Sequence, residues 1–179
     1  MSLMRDPGLS PEKLMTKKGK NLFLHSAVFL ALVSVDFYSK SFMVRALIDV
    51  EALDLLPFLK FVLVHNRGAA FGFLGDANGW QLAVFVGVAI IISLLIVIRL
   101  FASAGSEPWY EMSLVLILSG AIGNMIDRIR AGYVIDFIQV YYQDWYFPAF
   151  NLADISIFSG VLILIFHVLV KDRENHKGV

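Results

Sequence analysis

At 179 residues the chain is 58% hydrophobic and only 17% charged, where soluble domains run nearer about a quarter charged, so it reads as a membrane protein. A formal net charge of zero argues against a nucleic-acid partner, since neutralising phosphates needs a basic surface. The lack of cysteine removes disulfides, thiol nucleophiles and cysteine metal ligands, and four scattered histidines without an HExxH pair leave no zinc site.

Residues 1–21 are polar, with Arg5, Lys13, Lys17, Lys18 and Lys20 beside Pro7 and Pro11, and are expected to form a poorly ordered cytoplasmic tail. The apolar run that follows has a basic flank but no small-x-small cleavage site, and three more apolar segments come after it. It is therefore expected to be a retained first span, about residues 22–43. Asp36 and Lys40 lie four apart on one face of that helix. Asp36 sits roughly 21 Å from the start of the span, at about 1.5 Å per residue, towards its outer end. An intrahelical ion pair that eases insertion is the plain explanation of these two.

The connection 44–79 contains an aromatic and β-branched run at 58–64, with Lys60 its only polar member, which predicts a strand. It leads into Asn66-Arg67-Gly68, a turn signal followed by small and apolar residues. Spans two, three and four are expected at about 80–99, 109–126 and 151–170, with Trp80, Trp109 and Tyr110 as interfacial anchors. The turn at 105–108 makes spans two and three antiparallel neighbours.

The fold expected is an all-α membrane protein: four transmembrane helices, with a small extracytoplasmic β-rich region and loop between helices 1 and 2. Residues 22–170 make one domain and 171–179 a cytoplasmic C-terminal tail. Inner segments carry nine Lys/Arg against six in the outer ones, which places both termini in the cytoplasm and residues 44–79 and 127–150 outside.

Carboxylates gather at the outer ends of these spans. Asp127 follows an uncharged run at 112–126, and Asp154 precedes another at 155–170. Asp136 lies inside Tyr133-Val134-Ile135-Asp136-Phe137-Ile138, and Asn124 and Asn151 stand nearby. Ionised carboxylates at the edge of hydrocarbon are costly, so a set of them on one side points to a site. Helix capping is the plain explanation for any single one. Two apposed carboxylates share one proton, so one can activate water while the other protonates a carbonyl oxygen. That is peptide hydrolysis without serine, cysteine or metal. Spacing alone leaves open which two of the four aspartates pair.

Gly-Asn-Met-Ile-Asp-Arg at 123–128, Val-Ile-Asp-Phe at 134–137 and Phe-Pro-Ala-Phe-Asn-Leu-Ala-Asp at 147–154 resemble the bacterial lipoprotein signal peptidases (signal peptidase II). So do Asn-Arg-Gly-Ala-Ala-Phe-Gly at 66–72 and Asp-x-x-Ser-Lys at 36–40. The resemblance implies a multi-pass enzyme of the bacterial inner membrane, an intramembrane-type aspartyl endopeptidase active at the outer leaflet. Such an enzyme removes signal peptides from prolipoproteins just before a diacylglyceryl-modified cysteine. It implies Asp136 and Asp154 as the catalytic pair, and Asn66, Asn124, Arg128 and Asn151 as residues that hold substrate or inhibitor. Asp36, Lys40, Asp127 and Gly68 fall in supporting positions. No cofactor or metal is implied; the partners implied are the prolipoprotein, membrane lipid and cyclic peptides such as globomycin. One departure is Phe37, where the family usually has Gln. The alternatives are a small proton-coupled transporter, which would favour mid-span carboxylates and internal symmetry, and a non-enzymatic anchor.

Overall fold

Four helices carry the apolar segments in the computed structural model, which describes residues 11–68, 80–105 and 107–177. They are α1 (Pro11–Ala46), α2 (Trp80–Ser103), α3 (Pro108–Ala131) and α4 (Leu152–Lys177). Each contains a stretch long and apolar enough to cross a membrane: Lys18–Ala46, Trp80–Ser103, Pro108–Ala131 and Leu152–Asp172. Large apolar side chains such as Ile91, Leu94, Ile98, Phe158 and Phe166 stand exposed on them. In water such a surface would aggregate; against lipid it is the expected exterior.

The helices run further than the apolar stretches. α1 begins at Pro11, so residues 11–21 are helical rather than part of a disordered tail. Proline suits the first helical position, and lysine is a good helix former; polarity marks where hydrocarbon ends, not where a helix must. α2 continues past Arg99 to Ser103. α3 continues to Ala131, which brings Asp127, Arg128 and Arg130 onto a helix instead of a loop. It stops at Gly132, whose φ of 79° and N–H bond to the Arg128 carbonyl (3.0 Å) form a left-handed cap.

α3 packs against all three other helices. Ile96 and Leu100 of α2 meet Leu114, Val115 and Leu118 of α3 in the apolar core. Between α3 and α4 the contact is closer, because small residues line it. A Cβ at Gly120 would collide with the Ala153 carbonyl, and one at Gly160 would lie 2.7 Å from the Ser113 carbonyl. At the end remote from the sheet, Glu107 accepts bonds from Lys171 (2.8 Å) and His167 (2.7 Å), fastening the α2–α3 turn to α4.

The sheet is wider than the sequence implies. β1 (Ala52–Leu56) and β2 (Leu59–Asn66) come from the first connection, but β3 (Val134–Tyr142) and β4 (Trp145–Tyr146) come from the connection between α3 and α4. All four pair antiparallel in the order β1-β2-β3-β4. Val64 pairs with Asp136 and Asn66 with Val134. Asn66 and Asp136 are therefore diagonal neighbours on one face, within side-chain reach.

Candidate active site

The site starts from a lysine that has nowhere else to put its charge. Lys40 is 1% exposed. Its ammonium carries three protons and meets three oxygens: Asp36 Oδ2 at 2.8 Å, Asp127 Oδ2 at 2.9 Å and Asn124 Oδ1 at 3.0 Å. The Asp36–Lys40 pair foreseen within α1 thus reaches across to α3. Asp36 Oδ1 also accepts the Ala153 backbone N–H at 2.9 Å, tying α1 to the start of α4. Asp127 Oδ2 receives the Ile135 N–H at 3.3 Å, tying α3 to β3.

Asn151 and Asp154 form a reciprocal cap at the head of α4. Asn151 Oδ1 accepts the Asp154 N–H at 2.9 Å, and Asp154 Oδ2 accepts the Asn151 N–H at 3.1 Å. The capping that was the plain explanation of Asp154 is real. It leaves Asp154 Oδ1 for Asn124 Nδ2, at 2.8 Å.

Asp136 is 2% exposed on β3. Its Oδ1 takes a bond from Asn151 Nδ2 at 2.6 Å, and its Oδ2 one from Asn66 Nδ2 at 2.9 Å. Burial, above all, raises this carboxyl from 3.8 to about 6. The Asn66 bond opposes that rise, the Asp154 charge adds to it, and Asn151 and Lys40 oppose it.

Each of the three asparagines is oriented by a group that can only donate. Lys40 claims Asn124 Oδ1, the Asp154 N–H claims Asn151 Oδ1, and the Gly68 N–H claims Asn66 Oδ1 at 2.8 Å. Every amide nitrogen is thereby turned towards an aspartate. Asn151 Nδ2 also reaches Asn124 Oδ1 at 3.1 Å, so the two carboxylates share one continuous network. Gly68 serves with a φ of 95°, and a side chain there would overlap the Phe85 ring. The rest of that motif, from Ala69, lies outside the described residues.

Arg128 packs its guanidinium 5.0 Å from the Phe85 ring centre and donates to the Asn124 carbonyl at 3.4 Å. Asp154, Asp136 and Asp127 act on it through space without an ion pair. All ten singled-out residues thus fall into one region: Asp136, Asp154, Asn66, Asn124, Asn151 and Arg128 around the two carboxylates, and Asp36, Lys40, Asp127 and Gly68 holding them. Phe85 is the participant the sequence did not announce, since an aromatic ring in an apolar span carries no signal of its own. Among the described residues no group of His, Asp or Glu is arranged to hold a metal ion.

Four helices able to cross a membrane, a small antiparallel sheet, and a buried Asp136 and half-buried Asp154 in one hydrogen-bond network define a multi-pass membrane hydrolase of the aspartic type. The family model described as signal peptidase (SPase) II, peptidase family A8, matches residues 28–170. A lipoprotein signal peptidase of Acinetobacter baylyi is 39% identical over 167 residues, 90% of this chain and 93% of the relative. One of Coxiella burnetii is 39% identical over 157 residues, covering 88% and 96%. A solved structure described as a bacterial membrane enzyme aligns with a TM-score of 0.72 at 29% identity, over 85% of this chain and 90% of that one. The chain belongs to the signal peptidase II family, and it is an aspartic peptidase.

Proposed function

We propose that the chain removes signal peptides from prolipoproteins, with Asp136 and Asp154 as the catalytic pair, cutting just before a diacylglyceryl-modified cysteine. The observation that carries this reading is Asn151, which bonds both aspartates at once.

The raised value of Asp136 makes it the holder of the pair's single proton. Asp154 takes a proton from water as the water oxygen attacks the scissile carbonyl carbon, while Asp136 gives its proton to the carbonyl oxygen. The resulting gem-diol returns a proton to Asp136. Asp154 passes its proton to the departing nitrogen, and the C–N bond breaks. Asn124 holds Asp154 Oδ1 and Asn66 holds Asp136 Oδ2, so neither aspartate rotates away between the two steps. Arg128, lacking an ion-pair partner among the described residues, is free to receive a backbone carbonyl of the substrate.

The sheet and both long connections face outward in this proposal, with both termini in the cytoplasm, so the site stands at the outer edge of the inner membrane. There a signal helix enters from lipid and the nucleophilic water from the aqueous side. The start of α1 and the final turns of α4 then reach the cytoplasm. Cyclic peptides such as globomycin, which present a hydroxyl to an aspartate pair, act as inhibitors. The test is cleavage by the purified protein of a prolipoprotein with and without the diacylglyceryl group. Shortening of the modified form alone is expected; equal cleavage of both would remove the lipid from the recognition.

A further inference from the structure

Arg128 and Arg130 lie two apart on α3, roughly 200° around a helix of 3.6 residues per turn, and so serve opposite sides of it. On the Arg130 side, between α1 and the last turn of α3, lies an open cavity of about 580 Å³. Its wall on α1 is Tyr38, Ser41 and Arg45, spaced along one helical face; Arg130 faces them, and Lys40 and Asp127 lie at its floor. Three cations thus surround it against one carboxylate, and that carboxylate is already bonded to Lys40 and to the Ile135 N–H. Neither Arg45 nor Arg130 has an ion-pair partner among the described residues. Asp49 and Glu51 follow Arg45 closely in the chain, yet neither pairs with it.

Two arginines in the last turns of helices are favoured by the helix dipole, and this accounts for one charge on each helix. It does not account for an open space between them flanked by hydroxyls. Arg45 and Arg130 are each next to the last residue of an apolar span, Ala46 and Ala131, and the ends of a spanning helix are where lipid headgroups lie. Earlier on the same face of α1, Phe42 and Tyr38 are 61% and 69% exposed. Phe37, where the family resemblance leads to Gln, places its ring 4.9 Å from the Arg130 guanidinium and so holds it over the cavity.

We propose that this cavity binds the phosphodiester of an anionic glycerophospholipid, with Arg45 and Arg130 on the phosphate and the acyl chains running along Phe42 and Tyr38. A guanidinium fork matches phosphate oxygens, and the exposed aromatic face below supplies the apolar half of the site. Neither Asp136 nor Asp154 lines this cavity, and the proposal does not depend on the peptidase reading. A diacylglyceryl thioether is uncharged and has no need of two guanidiniums.

The experiment is native mass spectrometry of the full chain in detergent with equal phosphatidylglycerol and phosphatidylcholine. The wild type is expected to retain phosphatidylglycerol with a preference of about tenfold or more, the scale of one charge-assisted hydrogen bond. Arg45→Gln/Arg130→Gln should lose the preference, and Arg45→Lys/Arg130→Lys should lose most of it, because lysine keeps charge but not the fork. Surface attraction alone would leave the lysine variant equal to wild type, and that result overturns the proposal. So would equal retention of both lipids by the wild-type protein, a result that needs no variant to fold. Melting-temperature shifts with millimolar inorganic phosphate, as large as those with the lipid, would make a free ion the occupant and overturn it too.

Discussion

Asn151 donates to Asp136 Oδ1 across 2.6 Å, and the same residue caps the helix that carries Asp154. One side chain therefore sets the distance between two elements that approach from different parts of the chain. Asn151→Ala removes a charge-assisted bond worth about 1.5–3 kcal/mol. If it is felt at the transition state, turnover falls roughly 10–100-fold. The lost cap costs about 1 kcal/mol of stability besides. Asn151→Ser should restore the melting temperature but not the turnover, because serine caps without reaching Asp136. Recovery of both in Ser would show that Asn151 acts as a cap alone.

The buried carboxyl of Asp136 has a definite sign in pH. Its folded value, about 6, lies above its ordinary 3.8, so folding favours its protonated form. The stability it contributes is full below 3.8 and is lost as pH rises through about 6. The pair should likewise lose activity on the alkaline side, with an apparent value near 6 in kcat/KM for the free enzyme. Asn66 favours the charged form, so Asn66→Ala should move that alkaline limb upward. A downward movement, measured in folded protein, would contradict the arrangement.

Lys40 pairs with both Asp36 and Asp127 and helps turn Asn124 towards Asp154. Lys40→Met leaves two buried carboxylates without their cation, a loss of about 3–5 kcal/mol. The melting temperature should fall sharply. The remaining folded protein should cleave slowly, since Asn124 Oδ1 then keeps only the Asn151 Nδ2 bond to turn its amide nitrogen towards Asp154. An unchanged melting temperature would mean the buried triad is not what holds α1 to α3.

Orientation can be read directly, because the chain has no cysteine of its own. Single cysteines replace exposed Asp144, in the turn between β3 and β4, and exposed Asp172, near the end of α4. A membrane-impermeant thiol reagent on intact cells should label the first and spare the second. The opposite pattern would put the sheet, and the aspartates beneath it, on the cytoplasmic side.

The four spans were legible because a bilayer demands about twenty apolar residues and the chain supplies four such runs. Nine of the ten candidate site residues were visible as charges or amides in or beside apolar runs, where they are expensive, and Gly68 only through its motif. β3 was not. Its residues around Asp136 are apolar on both faces, because Val134 and Phe137 are buried on opposite sides, so no alternation announces a strand. Its partner β2 lies about seventy residues earlier, and pairing over such a separation leaves no local trace. The Asp36–Lys40 pair was visible as an i, i+4 contact, but its extension to Asp127 and Asn124 depends on how α1 packs on α3. The close α3–α4 approach at Gly120 and Gly160 was hidden for the same reason.

The central claim is that Asp136 and Asp154 work as one unit. It is tested most directly by the cleavage rate of a diacylglyceryl-modified prolipoprotein with Asp136→Asn, Asp154→Asn and the double variant. Asparagine is nearly isosteric but cannot move the proton, and loss of general acid–base catalysis is worth about 10²–10⁴-fold. Each single change should cost that much while the protein still inserts and melts normally, and the double should be little worse than either. Near-normal cleavage by either single variant in folded protein would contradict the account, as would a much greater loss at Asp127 than at Asp136.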